Sequence, residues 1–286
     1  MDVIIYIQLS LLCTVNVFFT VVGVFLNTLV ILCLLKSSQL QKKLCYFMLM
    51  VLSLFDLFAV VTNHPMLIIY SIVWMIEDYE RLGTLYTYVD ITDIFLGFSL
   101  LTLLVMNLDR YLAIVYPLFH RTSVTRRRLV VFLAIFLLFE VILAGISIDN
   151  LVISDGMATL IFATVVSPPL FFINYKLFIV ARKISKRTAA SSAGLRKPVC
   201  LKNISSCLLA VACLLCLYLP MSVYIALSIA EKSKLSPKVK ISWLWTKTII
   251  ATNSTFNCLI FFWKNKMLRS EGLTVLKLLL GMCTKQ

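Results

Sequence analysis

Asp109, Arg110 and Tyr111 close a stretch that carries no charge from Ile94 to Leu108. An arginine brought towards hydrocarbon costs several kcal/mol unless it is paired or reaches water. Asp109 is its adjacent partner, and Pro117 ends the helix just beyond. Taken alone, these residues make an acid–base pair anchoring a helix end. Asp56 poses a second problem, because it sits inside Leu52-Ser53-Leu54-Phe55-Asp56-Leu57. A carboxylate there takes a proton, finds polar neighbours or holds a cation. Asp90 and Asp93, three apart, share a helix face. With Glu77, Asp78 and Glu80 nearby they could receive a cationic amine or a basic peptide, or form a solvated acidic rim. Glu140 is another acid in an apolar run, for which an interhelical hydrogen bond is the default. The two histidines, His64 and His120, flank opposite ends of the predicted spans, so no His-based zinc site is formed. No metal or nucleophile cluster emerges, and the chain is not read as an enzyme.

These residues need helices to position them, and the composition says of what kind. Of 286 residues 61% are hydrophobic and 14% charged, with mean hydropathy +0.97. A soluble domain cannot hide that much apolar surface, so the fold class expected is an all-α membrane protein. A span needs about 20 apolar residues. Seven stretches qualify, at 5–35, 44–74, 82–116, 128–148, 156–181, 200–230 and 240–263. The first begins with Asp2 rather than a basic segment and runs uncharged from Val3 to Leu35, which predicts an uncleaved span and no signal peptide. After Trp263, Met267, Leu268, Leu273, Leu276 and Leu280 alternate with Lys264, Lys266, Arg269 and Lys277. That pattern predicts a short amphipathic C-terminal helix on the membrane surface. Residues 1–263 thus form a seven-transmembrane helix bundle and 264–286 a cytoplasmic amphipathic helix and tail. Cys283 is a candidate palmitoylation site, or a plain thiol. The nine cysteines lie mostly in apolar runs, as buried thiols do. No internal repeat or low-complexity segment stands out.

The net charge of +14 is distributed by side. Twenty of the 27 Lys and Arg fall in the segments after spans one, three, five and seven, against six on the opposite side. The positive-inside rule then places the N-terminus outside and the C-terminus in the cytosol. Asp2, Glu77, Asp78, Glu80, Asp90, Asp93, Asp149 and Asp155 gather at the outer end. The basic face suits anionic lipid and an acidic cytosolic partner. No basic run is interleaved with aromatics on a soluble face, which speaks against nucleic acid. Two sequons, at Asn203 and Asn253, fall on cytosolic or membrane positions and should be unused.

The string Asn107-Leu108-Asp109-Arg110-Tyr111-Leu112-Ala113-Ile114-Val115-Tyr116-Pro117-Leu118 closely resembles the third-helix signature of rhodopsin-like (class A) G-protein-coupled receptors. Asn27 looks like the family's first-helix Asn, Asp56 like its second-helix acid and Ser99 like its third-helix serine. Asn253-Ser254-Thr255-Phe256-Asn257-Cys258-Leu259-Ile260-Phe261 is similar to its seventh-helix motif. The resemblance covers Asn27 to about Lys277. It implies that Asp56, Ser99, Asn253, Ser254 and Asn257 line a sodium pocket, and that Na+ weakens agonist binding. It also implies that Asp109, Arg110, Tyr111 and Tyr175 serve G-protein coupling. Asp90, Thr92, Asp93 and Tyr218 are the ligand-pocket positions it suggests. Thr92 stands where amine receptors carry their anchoring Asp, which lowers the odds of a monoamine. Ala251 stands where an opsin carries its retinal lysine, so no cofactor is expected beyond an allosteric Na+.

The chain also departs from the pattern. Cys258 replaces a proline and Phe261 a tyrosine, while Tyr218 replaces the helix-six tryptophan, with Pro220 still predicted to kink that helix. Cys200 lies where many relatives hold an acid that pairs with the helix-three arginine. That leaves Asp109 as the obvious resting partner of Arg110 and predicts raised basal signalling. Leu85 and the short, Cys-free loop near 149–156 rule out the usual disulfide. The type resembled is a short-looped orphan receptor, also on Phe262-Trp263-Lys264-Asn265-Lys266. The expectation is a multi-pass plasma-membrane receptor that passes an extracellular ligand signal to a heterotrimeric G-protein. The alternatives are a non-signalling or decoy receptor of the same fold and, further off, a small transporter, for which inverted repeats are not evident.

Overall fold

A computed structural model describes residues 2–149, 168–180, 182–183, 208–213, 215–221, 223–224, 237–279 and 281. Among them every regular element is a helix. The chain opens with α1 (Val3–Lys36), a one-turn α2 (Ser38–Gln41), α3 (Leu44–Met75) and α4 (Tyr79–Val115). There follow α5 (Pro117–Ser123) and α6 (Arg126–Asp149). Shorter apolar helices α7 (Pro168–Val180) and α8 (Leu208–Met221) precede α9 (Pro237–Ala251), α10 (Asn253–Lys264) and α11 (Lys266–Leu279). The segments Val3–Lys36, Leu44–Met75 and Glu80–Val115 are long and apolar enough to cross a membrane. At 1.5 Å per residue α1 is about 51 Å long, more than the roughly 30 Å hydrocarbon core requires.

The helices carry large apolar side chains on their outer faces and bury polar side chains among apolar ones. Val17, Phe18, Val21 and Phe25 on α1, and Val131, Ile135, Leu138 and Phe139 on α6, are exposed. Asn16, Asn27, Asp56, Asn63, His64, Ser99, Asn107 and Asn257 are buried. Lipid accommodates the first set, and helix–helix hydrogen bonds satisfy the second. Apolar packing forms two clusters along the bundle. One, towards Asp109, contains Met48, Leu52, Leu100, Leu103, Met106 and Phe261. The other, towards Asp93, contains Tyr70, Trp74, Trp243 and Leu244. Tyr218 on α8 packs against both.

Local sequence explains the boundaries. Glu77 takes a left-handed conformation (φ 59°) after α3, and the Asp78 side chain then caps α4 by accepting from the Arg81 amide at 3.3 Å. A non-glycine residue in that region costs about 1–2 kcal/mol, so this corner is tightly held. Pro117 starts α5 at its first position, where a missing amide is harmless. The predicted 240–263 span is interrupted at Thr252, whose hydroxyl donates to the Ile249 carbonyl at 2.6 Å. α1 comes close to α3 and α10 at Gly23, where a Cβ would stand 2.6 Å from Thr255 Oγ1 and 2.8 Å from Val60. The predicted C-terminal helix forms as α11 and folds back so that Gly272 meets the Phe262 ring.

The loop near 149–156, Cys200, the Asn203 sequon and Cys283 lie outside the described residues, as do the side chains of Asp90 and Glu140.

Candidate functional site

α4 carries polar groups at three levels. Ser99 lies six residues beyond Asp93 and Asp109 ten beyond Ser99, offsets of about 9 Å and 15 Å along the axis.

At the Asp109 end, the carboxylate is 3% exposed and faces His120 Nε2 at 2.7 Å. The turn at Tyr116–Pro117 brings α5 back under α4, which makes this contact across eleven residues. His120, read from sequence only as a residue too far from His64 to share a metal, therefore joins Asp109 as its partner. Arg110 and Tyr111 are half-buried beside it, and Tyr111 meets Tyr116 edge-on at 6.3 Å. Arg126 donates to the Gln41 carbonyl, its guanidinium 5.4 Å from the Phe47 ring centre, so α6 is tied to the turn between α1 and α3. Tyr46 accepts from Asn265 Nδ2 at 3.0 Å, and Asn265 Oδ1 caps α11 through the Leu268 amide at 3.2 Å. Tyr175, on α7, is 54% exposed and takes no part in this buried group.

At the middle level Asp56, Ser99, Asn253, Ser254 and Asn257 are all buried. Ser99 Oγ donates to Asp56 Oδ1 at 2.5 Å, and Asn257 Nδ2 lies 3.4 Å from Asp56 Oδ2 and 3.3 Å from Ser99 Oγ. Asn27 Nδ2 reaches the Ser254 carbonyl at 3.3 Å across the close approach at Gly23. The side-chain oxygens of Asn253 and Asn257 are buried with no hydrogen-bond partner among the described residues. Orphaned acceptors around one carboxylate are unusual in a packed interior and suit a hard cation or water, both of which bind oxygen.

At the third level lies a contact that the sequence reading missed. Lys247 Nζ donates to Asp93 Oδ2, and both residues are buried. Lys247 also lies 5.6 Å from the Trp243 ring centre. Tyr86 stacks on Trp243 at 4.6 Å and Tyr70 meets it at 5.4 Å. Thr92, the neighbour of Asp93, donates to Asn63 Oδ1 at 2.9 Å, while Asn63 Nδ2 donates to the Thr92 carbonyl at 3.1 Å. His64, next to Asn63, holds Asn16 Oδ1 at 2.7 Å, and Asn16 Nδ2 donates to Thr248 Oγ1 at 3.0 Å. Thr248 adjoins Lys247, so the circuit passes from α4 to α3, α1, α9 and back to α4. Asn16, in a 33-residue uncharged run, is a signal of it in the sequence, since an amide there demands a partner.

Residues 26–152 match the family model described as 7 transmembrane receptor (rhodopsin family). The match runs from the last third of α1 through α6 and takes in Asn27, Asp56, Ser99 and Asp109-Arg110-Tyr111. Over that stretch the chain is similar to receptors of the rhodopsin family. A search of curated proteins returns no match.

Proposed function

We propose that this chain is a seven-helix G-protein-coupled receptor of the plasma membrane, with its N-terminus outside and C-terminus in the cytosol. It carries an extracellular ligand signal from the Asp93 level to a heterotrimeric G-protein at the Asp109–Arg110–Tyr111 end. The observation that supports this best is the stack of three buried polar levels on the one helix α4, within the stretch that matches the rhodopsin family. Buried charge in a membrane helix marks function by default, and three such levels along one rod can couple its two ends.

A ligand that favours one helix arrangement over another shifts the population by its differential affinity and no more. In the resting arrangement Asp109 is engaged by His120 and Asp93 by Lys247. The active arrangement moves the inner end of α8 outward and exposes Arg110 and Tyr111 to the G-protein, with Tyr175 turning inward to meet it. At the middle level Asp56, Ser99, Asn253, Ser254 and Asn257 would hold a sodium ion, which balances the carboxylate charge when bound. Ser99 and Asn257 orient that carboxylate. α11 lies on the inner leaflet, and Cys283 is the candidate for lipidation beyond it.

The test is guanine-nucleotide exchange in membranes from cells expressing the chain, basally and across a ligand panel, with Arg110→Ala as control. Exchange lost in the variant supports the receptor. Silence across a broad set of G-proteins supports the decoy reading, which the buried, hydroxyl-free Phe261 and Cys258 favour.

A further inference from the structure

The turn after α2 and the start of α6 gather the cations Lys42, Lys43, Arg126, Arg127 and Arg128, all of them exposed. We propose that they form a binding site for a polyphosphorylated lipid headgroup of the inner leaflet, a phosphoinositide in chemical class, which clamps the start of α3 to the start of α6. The inference rests on the reading that this end of the bundle faces the cytosol.

The fold builds this grouping against electrostatics. Arg126 donates to the Gln41 carbonyl, and its guanidinium lies 5.4 Å from the Phe47 ring centre. That tie holds the start of α6 beside the segment that carries Lys42 and Lys43. Arg128 Nη1 donates to the Ser123 carbonyl at 2.8 Å. Carbonyls and a ring face orient these guanidinium groups without neutralising them. No Asp or Glu occurs from Lys36 to Phe55 or from Arg110 to Phe139. Among the described residues no carboxylate pairs with any of these cations. The three arginines also occupy the first turn of α6, which holds no acid. That is the positive end of the helix dipole, where cations are unfavourable and an anion is favoured. Like charge concentrated at such a place is a local conflict of the kind that marks functional sites, and a bound anion resolves it.

The count of charges names the anion. Each phosphate monoester added to a headgroup brings about 1.5–2 negative charges, so cations drawn from two segments match a headgroup with several phosphates. A serine or unsubstituted inositol headgroup leaves most of them unanswered. The arginine fork suits phosphate oxygens, which it binds in bidentate fashion. Placement decides for a lipid over a soluble phosphate. Just beyond Arg128 on α6, Val130, Val131 and Phe132 are 45%, 50% and 40% exposed, as side chains facing hydrocarbon are. The arginines therefore stand where the lipid-facing surface ends, at the depth of the headgroups, where basic clusters meet anionic lipid.

Purified full chain in uncharged detergent, titrated with fluorescent dioctanoyl phosphatidylinositol bisphosphate and read by polarisation, tests this. Saturable binding is expected, tighter by about tenfold or more than to the dioctanoyl forms of phosphatidylserine and phosphatidylinositol, since a hydrogen bond between charged groups is worth about that factor. Lys42→Gln/Arg127→Gln should weaken it by about tenfold or more. Lys266→Gln/Arg269→Gln removes the same charge from α11 and should change it by less than about twofold. No binding, equal binding of the three lipids, or equal weakening by the two double variants overturns the proposal. Free inositol trisphosphate binding as tightly as the lipid overturns the lipid as occupant. The lipid comparison uses the unaltered chain, so a variant that fails to fold leaves the test intact. Headgroup binding needs no G-protein. Its absence alongside nucleotide exchange refutes this inference alone, and its presence with no exchange on any G-protein refutes the receptor reading instead.

Discussion

Breaking the α4–α9 ion pair from one side should be far more damaging than removing it whole. Asp93→Asn takes the Asp93 carboxylate away from Lys247, which is 3% exposed, and Lys247→Gln takes the Lys247 ammonium away from Asp93, which is 8% exposed. Removing one partner of a buried pair costs about 3–5 kcal/mol, whereas replacing both with neutral groups is often neutral. The contact of Lys247 with Trp243 survives in Asp93→Asn, which places that variant at the lower end. For a chain of this size each kcal/mol moves the unfolding midpoint by about 2–4 °C. Each single variant should therefore fall by roughly 6–20 °C, and the double variant should return to within a few degrees of the unaltered chain. The assay is a double-mutant cycle on purified chain in one fixed detergent or nanodisc, read by thermal unfolding. Non-additivity of about 3 kcal/mol or more is the expected coupling for residues in contact. Single variants within 2 °C of the parent, or a double variant equal to the sum of the singles, would refute the reasoning.

Sodium should raise the unfolding midpoint of the unaltered chain relative to choline and leave Asp56→Asn unmoved, since the ion's charge partner is gone; equal midpoints in both salts for the unaltered chain would dismiss the cation site. His120→Ala should raise ligand-free nucleotide exchange, because Asp109 loses the contact at 2.7 Å that holds it in the resting arrangement; the lost bond is worth about 1–3 kcal/mol, and exchange at or below the parent level would count against the latch. Gly23→Leu should lower the midpoint by about 1–3 kcal/mol equivalent, because even a Cβ there meets Thr255 and Val60 within 3 Å; an unchanged midpoint would mean that α1 does not approach so closely.

Much of this architecture is legible in the chain because membrane helices announce themselves by length and apolarity. The first three predicted spans match α1, α3 and α4 to within a few residues at most ends, and a helix, α6, covers the fourth. The middle polar level was reached through motif positions rather than through periodicity; in the bundle Ser99 and Asn257 lie against Asp56. The Asp93–Lys247 pair was not legible, since 154 residues separate the two and their meeting depends on how α4 and α9 are rotated. Asp93 read as a rim or ligand group because its own sequence neighbours are acidic. His120 escaped for the opposite reason: it is close in sequence, yet only the Tyr116–Pro117 turn aims it back at Asp109. The break at Thr252 left no trace because threonine is no helix breaker by type.

The central claim is that the Asp109–Arg110–Tyr111 end of this bundle receives a G-protein. Purified chain in nanodiscs, mixed with nucleotide-free heterotrimers of each class, tests it by co-purification. The expected result is a complex with at least one heterotrimer that GTPγS dissociates and that Arg110→Ala does not form. Retention of no heterotrimer in any nucleotide state, or a complex indifferent to both GTPγS and Arg110→Ala, would contradict it.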